Sequence, residues 1–363
     1  MKKDSEEIML MKGNEAIAHA AIRCGCDGYF GYPITPQSEV METLMELEPW
    51  NTTGMVVLQA ESEVASINMV YGAAGCGKKA MTSSSSPGVS LMQEGISYMA
   101  GAELPGVIVN VMRGGPGLGT IQPSQADYFQ AVKGGGHGDY KMPTLAPASV
   151  QEMADLTVLA FDLAFKYRTP TMLLADGIIG QMMEKVVLPP YQSRLTEDEI
   201  RVKCPWATLG KPHGKKPNYI TSLELLSEDM ENLNKRLQAR YRTLEKEEVR
   251  FEEIACEDAD YVFVAFGISA RVCQKAVEIA RSEGIKAGLL RPITLYPFPV
   301  EKIKELSNRV KGFISVELSA GQMVEDVRLA VNGKVPVEFY GRMGGVVPSP
   351  NEAFNALKDK LIQ

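Results

Sequence analysis

The chain has 363 residues, 45% of them hydrophobic and 23% charged, an ordinary globular composition with room for two or three domains of roughly 100–200 residues. Its net charge of −7 gives no support for nucleic-acid or anionic-membrane binding, and no apolar run approaches the ~18 residues of a membrane span. The opening Met1-Lys2-Lys3-Asp4-Ser5-Glu6-Glu7 lacks the apolar segment of a signal peptide, so the expected location is cytoplasmic.

Helix and strand alternate through the first half. Asn14 is placed to cap a helix running to about Cys24, with Ile17, Ala20 and Ala21 on one face. A short strand over 28–32 leads into Tyr32-Pro33-Ile34-Thr35-Pro36, where Pro36 suits a first helical turn and Thr35 its cap. The strand 56–59 runs into Gln59-Ala60-Glu61-Ser62-Glu63, and a helix from Ser62 stops at Gly75. Residues 79–82 lead to the hydroxyl-rich turn Thr82-Ser83-Ser84-Ser85-Ser86-Pro87-Gly88, with a helix starting near Val89. The apolar run 107–112 reads as a buried strand ending at Arg113-Gly114-Gly115-Pro116-Gly117-Leu118-Gly119, and a loop rich in Gly, Pro and Gln continues to about Gly138. Loops of that length are more often functional than mere connections. A helix over 149–168 and a strand over 171–175 complete a first α/β domain, residues 1–188.

Residues 189–254 change character. Pro189-Pro190, Lys211-Pro212-His213-Gly214-Lys215-Lys216-Pro217 and the charged stretch from Ser227 to Arg250 read as a linker with an exposed charged helix. A second α/β domain, 255–363, follows, with strands over 261–267, 286–290 and 312–316. Its helices fall over 270–281, capped by Ser269, over 300–308 and near 323–331. The whole is a doubly wound α/β pattern without an internal repeat.

Four segments of unusual chemistry thus sit where strands end, and open parallel sheets bind ligands outside the carboxyl ends of their strands. A carboxylate, a hydroxyl-rich turn and an isolated arginine converge there, as in an active site. Arg113 is the only cation between Lys79 and Lys133, and an arginine can grip a carboxylate through two parallel bonds. The cysteines at 24, 26, 76, 204, 256 and 273 match no iron–sulfur or Cys-x-x-Cys motif. Cys24 and Cys26 read as small buried thiols, with a redox or metal half-site as the alternative. With His19, His137 and His213 as the only histidines, no metal site is expected on this chain.

Tyr32-Pro33-Ile34-Thr35-Pro36, the Glu63 helix, Ser84-Ser85-Ser86-Pro87-Gly88-Val89-Ser90-Leu91-Met92-Gln93-Glu94-Gly95 and Met112-Arg113-Gly114-Gly115-Pro116-Gly117 together resemble the 2-oxoacid:ferredoxin oxidoreductases. They match the subunit that supplies the pyrimidine-side domain for thiamine diphosphate. Gly341-Arg342-Met343-Gly344-Gly345 with Pro348-Ser349-Pro350 looks like the end of that family's transketolase C-terminal-like domain.

The resemblance implies a CoA-dependent oxidative decarboxylation that passes electrons to ferredoxin. In such a site a carboxylate bonded to the ring nitrogen N1′ promotes the imino tautomer, which deprotonates the cofactor's own C2; Glu63 matches that position. The alternative for Glu61 and Glu63 is to complement a helix N-terminus. By resemblance Thr35 and Arg113 contact the substrate, while Tyr32, Pro33, Ile34, Ser85, Ser86 and Gly88 shape the cofactor pocket. His137, within Gly134-Gly135-Gly136-His137-Gly138-Asp139, is a candidate proton relay or acyl-CoA contact, with a loop-orienting role as the alternative.

The family's Gly-Asp-Gly motif for Mg²⁺ and diphosphate is missing; the nearest match is Ala175-Asp176-Gly177. The chain is therefore expected to hold half of an active site. Thiamine diphosphate would be shared with a partner subunit that holds Mg²⁺, and gamma-type and ferredoxin-like subunits would carry the iron–sulfur clusters. Gln59 to Glu63 and Gly134 to Gly138 look most like the branched-chain, 2-oxoisovalerate (3-methyl-2-oxobutanoate) type. A 2-oxoglutarate or pyruvate enzyme is the alternative within the family, and a non-catalytic assembly subunit the alternative outside it.

Overall fold

The computed structural model describes residues 7–211 and 216–362; the first six residues and His213 lie outside them. Its strands are β1 (Ile8–Lys12), β2 (Gly28–Gly31), β3 (Val56–Gln59), β4 (Ala80–Ser84), β5 (Gly106–Met112), β6 (Thr144–Leu145), β7 (Pro170–Asp176), β8 (Met183–Val187), β9 (Phe251–Ile254), β10 (Tyr261–Val264), β11 (Ala287–Pro292), β12 (Thr294–Tyr296), β13 (Gly312–Glu317) and β14 (Val337–Gly341).

A seven-stranded sheet runs in the order β12-β6-β7-β5-β4-β2-β3. All of its pairings are parallel except β12 on β6. Every residue of β4, β5 and β7 is buried, as expected for strands covered by helices on both faces. The chain leaves β2 outward to β3 and returns to β4 on the other flank, so β2 and β4 mark the point where strand order reverses. In open parallel sheets ligands bind at such a reversal, outside the carboxyl ends of the strands. The second sheet, β14-β13-β10-β11-β9, is parallel except for β9. No helix among the described residues is long and apolar enough to cross a membrane.

The second domain starts slightly earlier than the sequence suggests, because Phe251–Ile254 already pairs with β11. The stretch expected to be a linker is held against the first domain. Helix Ser227–Glu247 buries Leu233, Leu237, Tyr241 and Leu244 along one stripe, while Arg236 and Arg240 reach Glu103 and Lys166 reaches Glu248. Its other faces are charged, which hides a four-residue stripe in the composition. The domains also share a sheet, since β12 comes from beyond the start of the second.

Three residues expected to cap helices do not. Helix Gly13–Arg23 has Lys12 as its N-cap; Asn14 is buried inside it and donates to the Pro36 carbonyl at 2.7 Å and to Glu39 Oε2 at 2.9 Å. The helix after the Tyr32 loop begins at Ser38, so Thr35 does not cap it. Ser269 lies within helix Gly267–Ser282 rather than before it, and its hydroxyl donates to Gln125 Oε1 at 2.8 Å. For Asn14 and Ser269 a tertiary partner for the polar side chain outweighs the local cap, whereas the Thr35 side chain is exposed.

Candidate active site

Because β2, β3, β4 and β5 are adjacent and parallel, the loops that follow them leave the same edge of the sheet. Helix Glu63–Gly75 starts after β3, capped by Ser62 through the Ala65 N–H. Glu63 is 6% exposed, whereas Glu61 is exposed. The helix after β4, Ser86–Gly101, starts directly at the serine run, three residues earlier than expected.

Glu63 and this second helix meet at Gly88. A Cβ there would stand 2.1 Å from Ser84 Oγ and 2.6 Å from Glu63 Oε1, so only glycine leaves the carboxylate and hydroxyl side by side. The Glu63 carboxylate has no hydrogen bond or ion pair among the described residues, and the buried hydroxyls of Ser84 and Ser85 are also without partners. Unpaired buried polar groups each cost ~1–3 kcal/mol, so the unpartnered Glu63 carboxylate and Ser84 hydroxyl meeting at Gly88 indicate a missing polar ligand. A flat heterocycle with a basic ring nitrogen fits a carboxylate above a glycine, and thiamine diphosphate's aminopyrimidine is such a group. Apolar side chains stand exposed on the elements that carry this point: Val56 and Leu58 on the edge strand β3, Val64 next to Glu63 in its helix and Leu91 one turn beyond Gly88.

Arg113 lies on the other flank of the same helix start, 8% exposed. Its Nη1 donates to the Thr35 carbonyl and its Nη2 to the Leu118 carbonyl, each at 3.0 Å, while Nε is buried without a partner. Arg113 therefore ties the loop after β2 to its own loop and keeps unused donors. Its backbone N–H donates to Ser86 Oγ at 3.0 Å. A cleft of about 890 Å³ opens here, walled by Ser86, Arg113, Gly115 and Asp127 from the first domain and by Leu318 and Met343 from the second. Among the described residues, Arg113 is the only cation lining it and Asp127 the only carboxylate. Burial pushes the Asp127 carboxyl up from its ordinary value, against hydrogen bonds from Ser86 and Asn110.

The structure thus brings Glu63 and Ser84 together at Gly88, and Ser86, Arg113 and the Thr35 carbonyl together near the same helix start, with Ser85 buried at its N-cap. The Thr35 side chain and Pro33 are exposed, with Tyr32 and Ile34 half-buried beside them. His137 lies apart. It lines a separate cavity of about 330 Å³ with Tyr98, Tyr140 and Leu237, its carbonyl accepting from Ser97 Oγ at 2.8 Å.

Several residues of this region carried no motif. Asn110 and Asp127 are the main ones; a lone amide in the apolar run Val107-Ile108-Val109-Asn110-Val111-Met112 was the available signal. Asp176 Oδ1 accepts the N–H groups of Ile178 and Ile179, and its Oδ2 accepts that of Ile268. Both oxygens are committed to backbone, so this aspartate joins the two domains.

Comparison with known proteins gives one answer across nearly the whole chain. Residues 19–245 match the family described as pyruvate flavodoxin/ferredoxin oxidoreductase, thiamine diphosphate-binding, and residues 259–353 match pyruvate:ferredoxin oxidoreductase core domain II. The ketoisovalerate oxidoreductase subunit VorB of Methanothermobacter marburgensis is 54% identical over 93% of each chain. The 2-oxoglutarate synthase subunit KorA of Archaeoglobus fulgidus is 39% identical over 93% of this chain and 96% of its own. Among solved structures, the 2-oxoglutarate:ferredoxin oxidoreductase of Magnetococcus marinus, with 2-oxoglutarate, coenzyme A and succinyl-CoA bound, superposes with a TM-score of 0.85 at 28% identity. That match covers 98% of this chain and 66% of the other. A split-gene transketolase, at TM-score 0.61 and 14% identity, shares the fold.

Proposed function

The chain belongs to the 2-oxoacid:ferredoxin oxidoreductase family, and from that premise we propose that it is the pyrimidine-side subunit of an enzyme oxidising a branched-chain 2-oxoacid, 3-methyl-2-oxobutanoate, to its acyl-CoA. The observation that carries this reading is the unpartnered Glu63 carboxylate over Gly88. A finished site would not leave such a group unpaired. Exposed apolar side chains on the elements that carry this carboxylate suit a protein contact, and the partner proposed for it is the subunit that holds Mg²⁺ and the diphosphate. The iron–sulfur clusters and the contact with ferredoxin fall to further subunits of gamma and ferredoxin-like type.

Bound at this point, thiamine diphosphate supplies the acidic carbon at which a 2-oxoacid is decarboxylated. Glu63 would hold a proton at the ring nitrogen facing it, and Ser84 and Ser85 offer hydroxyls beside it. Gly88 lets the ring approach that carboxylate. Arg113 has the donors to hold the substrate's carboxylate, with the Thr35 hydroxyl free at the rim. His137 remains the candidate for the acyl-CoA side. Its separate cavity is compatible with a carrier molecule reaching in from outside.

The substrate assignment rests on two supports. Identity is higher to the ketoisovalerate relative than to the 2-oxoglutarate one, and the cleft offers one cation where a dicarboxylate calls for two. Six free cysteines suit a reducing compartment, and the proposed location is the cytoplasm. The test is to assay the purified complex against a panel of 2-oxoacids with coenzyme A and a viologen dye. 2-Oxoisovalerate and its branched relatives should exceed 2-oxoglutarate and pyruvate in kcat/KM. A preference for 2-oxoglutarate overturns the substrate, and inactivity with every 2-oxoacid overturns the reaction.

A further inference from the structure

We propose that Asp127 is the positioning residue for Arg113, acting through Ser86; the proposal rests on the reading that Arg113 holds the substrate's carboxylate. Asp127 Oδ2 accepts from Ser86 Oγ at 2.6 Å and from Asn110 Nδ2 at 2.9 Å. Asn110 Oδ1 in turn accepts the Ser86 backbone N–H at 3.0 Å. The Ser86 hydroxyl has one proton and two acceptors in reach, Asp127 at 2.6 Å and the Arg113 carbonyl at 3.2 Å. The shorter, charge-assisted bond takes the proton, and the hydroxyl oxygen is left to accept the Arg113 N–H at 3.0 Å. A directed chain results, running from Asp127 through Ser86 to the Arg113 backbone.

Backbone conformation supports the same assignment. Ser86 has φ +20°, outside the regions a serine ordinarily occupies, and such conformations persist only where the surroundings hold them. Asn110 and Asp127 are what hold this one. Asn110 is buried in the middle of a strand that is otherwise apolar apart from its glycine, a place where an amide is costly without partners. Asp127 is itself anchored, because the residues beside it bond to the second domain. Gln322 Nε2 donates to the Ala126 carbonyl at 2.6 Å, Tyr128 OH donates to Asp326 at 2.6 Å, and Phe129 N–H donates to Gln322 Oε1 at 2.8 Å. The second domain thereby fixes Asp127, and Asp127 fixes the arginine at the cleft floor.

Three variants of the reconstituted complex separate positioning from a general structural role. Asp127→Ala removes the acceptor of both bonds, and Asp127→Asn keeps an oxygen for Ser86 and Asn110. Ser86→Ala removes the relay itself. Asp127→Ala and Ser86→Ala should each raise the KM for the 2-oxoacid about tenfold or more while kcat changes by less than about threefold and the KM for coenzyme A stays put. Asp127→Asn should return the 2-oxoacid KM to within about threefold of wild type. Amide hydrogen exchange across residues 113–118 should quicken in both alanine variants and not in the asparagine one. The proposal is overturned if both alanine variants keep a wild-type KM and exchange pattern, or if Asp127→Asn is as impaired as Asp127→Ala. If Asp127→Ala fails to assemble, Ser86→Ala decides by the same criteria. Should the wild-type complex oxidise no 2-oxoacid, the reading of the reaction fails by itself, and the exchange measurement still decides whether Asp127 governs the Arg113 loop.

Discussion

Asp176 Oδ2 accepts the backbone N–H of Ile268 at 2.8 Å, so a carboxylate at the end of β7 caps a helix that belongs to the other domain. That helix has Phe266 at its N-cap and no cap of its own. Its orphan N–H is satisfied across the boundary, and a Cβ on the adjacent Gly267 would come within 2.5 Å of the same carboxylate oxygen. With Gln125 bonded to Phe266, Ser269 and Leu318, this is the joint that holds the cleft's two walls in register.

Asp176→Asn should therefore loosen the joint. The amide keeps one acceptor oxygen but presents an NH₂ group where a second acceptor is needed, and a buried group left unpaired costs ~1–3 kcal/mol. The pH dependence carries a distinct signature. Burial pushes the Asp176 carboxyl up to about 6, above the ~3.9 of an unfolded aspartate. The folded state then holds the proton more tightly, so this group's contribution favours folding at low pH. It declines as pH rises from about 4 to about 6 and is flat above. Denaturant unfolding of wild type and variant across pH 4–8 checks this: the wild-type advantage over Asp176→Asn should shrink as pH rises through that window.

Glu63→Gln should leave folding and assembly intact and suppress turnover. The amide keeps the shape above Gly88 but cannot share a proton with a ring nitrogen, a role worth about 10²–10⁴-fold in rate. Glu61→Gln is the matched control, because Glu61 is exposed, and it should cost less than about tenfold. Steady-state turnover of both complexes, with C2-proton exchange of bound thiamine diphosphate followed by NMR, decides between them. Loss of exchange in the Glu61 variant alone would reassign the carboxylate and favour a purely structural Glu63.

Gly88→Ala tests the close approach directly. Its methyl group would meet Ser84 Oγ and the Glu63 carboxylate well inside contact distance. Overpacking of this kind typically costs ~1–3 kcal/mol, and here the strain falls on the group that would face the cofactor. The expected result is a loss of turnover larger than the modest fall in melting temperature explains. A variant with full activity would show that Glu63 need not sit over this glycine.

Arg113→Lys keeps the charge and loses the fork. One ammonium cannot bridge the Thr35 and Leu118 carbonyls and still offer paired donors to a carboxylate. The KM for the 2-oxoacid should rise about tenfold or more, with hydrogen exchange of the two loops accelerated as the tie between them is lost. An unchanged KM would mean the substrate's carboxylate is held elsewhere.

The isolated chain should bind thiamine diphosphate weakly or not at all, because the Asp176 carboxylate is committed to backbone N–H groups of both domains. Calorimetry on the lone subunit with and without Mg²⁺ measures this. Tight, Mg²⁺-dependent binding would place the diphosphate site on this chain instead.

The sequence by itself determined the α/β alternation and the four strand-end loops, because apolar runs and turn residues are local signals. It also determined the family, whose motifs are contiguous strings such as Tyr32-Pro33-Ile34-Thr35-Pro36. The stripe of Leu233, Leu237, Tyr241 and Leu244 was present too, obscured by the charge of the helix that carries it. Tertiary structure decided what the isolated polar residues do. Asn14 and Ser269 sit where a helix cap can be read and bond instead to segments distant in sequence, and Asp176, where a metal motif can be read, caps its own helix and that of the other domain. Only the folded chain brings Asp127 to Ser86 and Ser86 to Arg113, as it brings Glu63 to Gly88. Periodicity reports which face of an element is buried; a polar side chain's partner is fixed by the packing of other elements against that face.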